Sequence, residues 1–140
     1  MQNKSMRVII KEPYKEPIVT NIVDTLENLQ KIIGGLIKVI SMPKSNGIDI
    51  IANEEGKMNS LEGNFFIPEY DDCIVGPAII VSFNKDGEFV GLTNKQIEKA
   101  LDYINNYKIE KEYDLYEDFE LLNSVMKRKM QSLDKDDNLC

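Results

Sequence analysis

Cys73-Ile74-Val75-Gly76-Pro77-Ala78-Ile79-Ile80-Val81-Ser82-Phe83 is the most apolar run of the chain, and how it is read decides the fold. Its length and its turn-forming flanks make it strand rather than buried helix. Pro77 has no N–H to give to a ladder, so a break or bulge is expected there. Downstream, Asn84-Lys85-Asp86-Gly87-Glu88 has tight-turn chemistry and leads to a short return strand at Phe89-Val90-Gly91. Thr93 and Gln96 then stand at capping-box spacing, and Ile97, Ala100, Leu101 and Ile104 fall at i, i+3, i+4 and i+7. A helix over Asn94 to Tyr107 follows.

Upstream, Leu36-Ile37-Lys38-Val39-Ile40 and Ile48-Asp49-Ile50-Ile51-Ala52 are strand-like runs joined through Pro43 and Asn46-Gly47, which predicts a hairpin. Further back, Arg7-Val8-Ile9-Ile10 and Ile18-Val19-Thr20 are β-branched runs around Pro13 and Pro17. Asp24 with Glu27 has capping-box spacing, so a first helix is expected over Thr25 to Ile33, stopped by Gly34-Gly35. The stretch from Asn53 to Asp72 lacks a clear period and is expected to be irregular.

Beyond a charged connector, Leu115, Phe119, Leu122, Met126, Met130 and Leu133 step by three or four, which predicts a third helix of about five turns starting at Asp114. Its apolar stripe packs either on its own domain or on another chain. The expected architecture is α+β: a small, mainly antiparallel sheet of five or six strands, two helices packed on one face and an added C-terminal helix. Residues 1–107 form the core domain and residues 108–140 the connector and C-terminal helix.

Composition excludes more than it identifies. With 140 residues, 42% hydrophobic and 29% charged, the chain suits one soluble domain. It has no histidine, which removes Ser-His-Asp and Cys-His catalysis. Two cysteines without histidine cannot complete a Cys₄ or Cys₂His₂ zinc site in one chain. A net charge of −7 disfavours a large face for duplex nucleic acid, but a pocket for a small anion needs only a cation or two and a few N–H groups. Cys73 and Cys140 read as free thiols of a reducing cytoplasm, and no run approaches the ~20 apolar residues of a membrane span.

The strings of a Walker A loop and of a dinucleotide-binding Gly-x-Gly-x-x-Gly turn are absent. Carboxylates are plentiful at Glu54-Glu55 and from Glu69 to Asp72, without the spacing of a calcium loop. Phe65, Phe66, Tyr70 and Phe83 are either base-stacking surfaces or core. No catalytic residue, metal ligand or cofactor is expected.

Leu29-Gln30, Gly34-Gly35, Ile37, Asn53-Glu54-Glu55-Gly56-Lys57, Leu61, Asn64 and Ile74-Val75-Gly76, taken as an ordered set, resemble the small proteins of phages, prophages and conjugative elements grouped as domain of unknown function 3846. The resemblance covers about residues 6 to 107. It implies a mobile-element origin and the cytoplasm of a bacterial host, and it carries over no catalytic residue.

Within that set, Asn53, Glu54, Glu55, Gly56, Lys57 and Asn64 are the foremost candidates for ligand binding, joined by Gly34, Gly35 and Phe65. Gly56 lets backbone approach a ligand, while Lys57 and the amides of Asn53 and Asn64 recognise a phosphate or a base edge. The same residues also read as a polar turn, with Gly56 supplying a positive φ and Lys57 solvated. The functional expectation is a non-enzymatic accessory protein, active in counter-defence, that sequesters a small nucleotide-like signal and forms a homo-oligomer. The alternative is a module that acts on a host protein through its acidic surface and C-terminal helix.

Overall fold

The computed structural model describes residues 4–110. They form β1 (Ser5–Lys11), β2 (Ile18–Val23), α1 (Leu26–Ile33), β3 (Ile37–Ser41), β4 (Ile48–Asn53), β5 (Gly63–Ile67), a 3₁₀ turn at Pro68–Tyr70, β6 (Asp72–Val75), β7 (Ala78–Phe83), β8 (Phe89–Val90) and α2 (Asn94–Tyr107). The main sheet is antiparallel in the order β2-β1-β7-β4-β3, with β8 also pairing β7. A second sheet pairs β5 with β6. The α+β class and the six-stranded antiparallel sheet are as expected. The predicted third helix and the second half of its connector, residues 111–113, lie outside the described residues.

The apolar run breaks at its Gly-Pro step more completely than a bulge. Gly76 has φ +74°, a left-handed conformation, and the two halves join different sheets as β6 and β7. The stretch expected to be irregular contains a strand, β5, and a 3₁₀ turn. Strand β5 escapes a periodicity reading because Asn64, Phe65, Phe66 and Ile67 are all buried, so polar and apolar residues do not alternate.

The two helices occupy opposite faces of the main sheet, not one. In β4 and β7 neighbouring residues are buried on both sides: Ile50 and Ile80 belong to one core, Ile51 and Ile79 to the other. A strand that is apolar at both parities must be covered twice. One core packs Ile9, Ile50 and Ile80 under α2 (Ala100, Ile104) and the small sheet (Phe65, Ile67, Ile74). The other packs Met6, Val8, Ile51 and Ile79 under Leu29 and Ile33 of α1.

The caps explain where the helices start. Thr93 and Gln96 form the expected capping box on α2. For α1 the cap is Thr25, whose hydroxyl accepts from Asn28 N–H at 3.1 Å, and not Asp24. Asp24 is still in the ladder, its N–H donating to the Lys4 carbonyl at 2.9 Å. Gly34 closes α1 at φ +88°.

Both sheet edges have a defined orientation. The Asp24–Lys4 bond makes the even residues of β2 the ones bonded to β1, so Val19, Asn21 and Val23 turn their N–H and carbonyl groups outwards. By the same rule Ile37, Val39 and Ser41 face outwards from β3. There Tyr70 laps over the edge, its hydroxyl donating to the Ser41 carbonyl at 2.8 Å.

Candidate functional site

The Asn53–Lys57 turn is tied into the fold by its own side chains. Asn53, 5% exposed, accepts Glu55 N–H at 2.8 Å and turns its Nδ2 towards the Ile33 carbonyl at the end of α1. Gly35 sits against that amide: a Cβ there would come within 3.2 Å of Asn53 Nδ2. Gly56 does not have the positive φ expected of it. It is a packing glycine, since a Cβ would lie 2.7 Å from Val75 Cγ2. Glu54 and Glu55 are exposed, and Lys57, exposed as in the polar-turn reading, makes an ion pair with Asp72. Burial raises Asp72, but the bonds it accepts from Lys57 and from Cys73 N–H outweigh it and hold the carboxyl below its usual range.

Asn64 and Phe65 are further inside. Asn64 is fully buried, and its Nδ2 bridges the Lys11 carbonyl at 2.7 Å and the Gly76 carbonyl at 2.8 Å, tying the small sheet to β1. Phe65 is 0% exposed in the α2-side core. Phe66 is likewise buried, whereas Tyr70 and Phe83 are exposed. Of the nine candidates, therefore, Asn53, Gly35, Gly56, Asn64 and Phe65 are engaged in packing, with Asn64 Oδ1 buried and without a hydrogen-bond partner among the described residues, Gly34 caps α1, and only Glu54, Glu55 and Lys57 offer side chains to solvent.

A concave surface of the molecule lies elsewhere, along α2. A groove of about 1110 Å³ runs beside this helix, just above the roughly 300–1,000 Å³ of small-molecule sites. Its apolar lining is the half-buried Leu101 over the buried Ile48 and Ile104. Lys95 and Lys99 stand one helical turn apart on its wall, and Lys108 closes one end next to Glu16. Asn105, Glu98 and Asp102 add carboxamide and carboxylate groups. Gln96 braces the other end, donating to Ser82 Oγ at 3.0 Å and to the Asn46 carbonyl at 3.2 Å. These α2 residues carry no sequence signal that separates a groove wall from a solvated helix face, which is why the sequence reading passed over them.

Near the Lys108 end the fold buries a second cation. Lys11 is 1% exposed and its Nζ donates to the Glu12 carbonyl at 2.6 Å. Burial lowers its pKa, Glu16 and Glu12 act against that shift, and Lys108 reinforces it. Under α2, the Tyr103 hydroxyl donates to Glu69 Oε1 at 2.7 Å; burial and then that carboxylate push the phenol well above its ordinary value. Cys73 is a half-buried thiol raised to about 11 by desolvation, a poor nucleophile.

Among the described residues no group of three or more His, Cys, Asp or Glu side chains comes together to hold a metal ion. No helix among them is long and apolar enough to cross a membrane. Residues 6–107 match the model of the domain of unknown function DUF3846, and the chain belongs to that family. No curated protein and no solved structure matches it.

Proposed function

We propose that this DUF3846 member is a non-enzymatic accessory protein of a phage or mobile element that binds and sequesters a small anionic, nucleotide-like signal in counter-defence, and that the ligand lies in the groove along α2. The observation that carries the reading is the lining of that groove. Lys95 and Lys99 on successive turns offer cations to phosphate groups, while Glu98, Asp102 and Asn105 offer acceptors to hydroxyl and amino groups. The half-buried Leu101 offers an apolar contact to a flat ring. The phage setting, the host cytoplasm and the counter-defence role rest on the family resemblance alone. The Asn53–Lys57 turn becomes scaffold in this reading, because most of its polar groups already have partners.

Native mass spectrometry of the protein purified from a bacterial host tests the reading. The expected result is a nucleotide-sized adduct, released unchanged on denaturation and lost in Lys95→Glu/Lys99→Glu. An adduct that survives that double substitution would place the ligand elsewhere, and a cleaved product would make the protein an enzyme. A clean apo mass would favour the other role, a module acting on a host protein.

A further inference from the structure

We propose that strand β2 is a self-pairing edge, through which two copies of the chain join their six-stranded sheets into one continuous sheet about a two-fold axis. Native sheets protect their edges with charged residues, proline or a covering loop. Edge β3 has such protection: Lys38 lies in the strand and Tyr70 covers the Ser41 carbonyl. Edge β2, Ile18-Val19-Thr20-Asn21-Ile22-Val23, contains no charge and no proline. No strand among the described residues lies beyond it. Its apolar side chains are unusually open, with Ile18 at 56% and Val19 and Val23 at 44% exposure.

The register makes the strand complementary to itself. Antiparallel pairing centred on Asn21 lets each Asn21 exchange both main-chain bonds with Asn21 of the partner subunit, and each Val23 N–H reach the carbonyl of Val19 of the partner subunit. The Val23 carbonyl is already held by Thr25 N–H and Asn28 Nδ2, so the N–H of Val19 of the partner subunit gains no bond from it and the seam carries four main-chain bonds, two between the Asn21 residues and two from the Val23 N–H groups. In this register Val19 lies across from Val23 of the partner subunit and Thr20 across from Ile22 of the partner subunit, with no like charges opposed. An isologous contact of this kind closes at two copies, which matters for a chain whose net charge of −7 otherwise keeps copies apart. The pairing is independent of what the groove binds.

The test is the mass of the full chain by sedimentation across a dilution series, with circular dichroism to confirm folding. The expected result is a dimer that Val19→Lys/Val23→Lys converts to a monomer, because the introduced lysines face one another across the axis. Combining Val19→Lys with Val23→Glu places opposite charges across the same axis and is expected to restore the dimer. Asn21→Pro removes only an outward-facing N–H and is expected to give a folded monomer. A monomeric natural chain would overturn the proposal, as would a dimer that persists in both the double-lysine and the proline variants.

Discussion

The two faces of the main sheet are covered in different ways. On the α1 face one short helix lays Leu29 and Ile33 across Val8, Ile51 and Ile79, and Leu26, Val39 and Phe83 stay exposed around it. On the α2 face a longer helix and a second sheet bury Phe65, Ile67, Ile74, Ala100 and Ile104, together with the polar Lys11, Asn64 and Ser82. Closing a sheet needs only an apolar stripe of matching width. A recognition surface also needs polar groups held at fixed positions, and these are paired inside the thicker layer, beside the groove.

The largest expected effects contrast the two cores. Phe65→Ala removes a ring with no exposed surface from the junction of α2, the small sheet and β4, and is expected to cost about 3–5 kcal/mol in urea unfolding. Leu29→Ala on the α1 face is expected to cost less, about 2–3 kcal/mol, because the exposed margin can relax around it. Equal costs would mean that the thin layer carries as much of the fold as the thick one. Asn64→Ala leaves the Lys11 and Gly76 carbonyls without their shared donor and is expected to cost about 2–3 kcal/mol.

The same contrast explains what could be read from sequence. Helix α2 was legible from Thr93 to Tyr107 because a capping box and a 3.6-residue stripe agree, and the β3–β4 hairpin because Asn46-Gly47 interrupts two apolar runs. The α1 cap was displaced from Asp24 to Thr25 by a ladder bond to Lys4, a tertiary contact. Strand β5 was missed because burial on both sides removes its alternation. The placement of the helices on opposite faces did have a signal. Ile50-Ile51 and Ile79-Ile80-Val81 are uninterrupted apolar pairs and triplets, which only a doubly covered strand tolerates. As for the candidate site, Asn53, Gly56 and Asn64 were recognised as special, but their constraint is packing. The groove needed the fold, since it depends on how α2 lies against Ile48 and the β1–β2 loop.

Alkaline pH sharpens the contrast, because Cys73, Lys11 and Tyr103, whose values are shifted, all lie in the thick layer. In the unfolded chain the Cys73 thiol loses its proton near 9.0, whereas in the fold it keeps it to about 11. Between those values the native state holds a proton that the unfolded state has released, so stability falls as pH rises, by about 2 kcal/mol over the window. Lys11 acts in the opposite sense, because its lowered value lets stability rise with pH towards 10.5. Comparing Cys73→Ala with the natural chain isolates the thiol: the variant is expected to lose less stability from pH 9 to 11, and parallel profiles would mean that Cys73 is not desolvated.

The smallest expected effect bears on the turn that the sequence made most conspicuous. Lys57 is 58% exposed and its pair with Asp72 is 30% exposed on the acid side, so water screens the attraction. Lys57→Ala is expected to change the unfolding free energy, read from urea denaturation, by no more than about 1 kcal/mol. It is also expected to leave a nucleotide-sized adduct in place, since the lysines of the groove lie on α2 and beyond it. If the adduct instead disappears while stability holds, the turn binds ligand and the thick layer is only its support. A cation that changes recognition without changing folding is a contact, whereas one that changes neither is surface. The Lys57 variant therefore separates the turn from the groove most directly where its effect on stability is least.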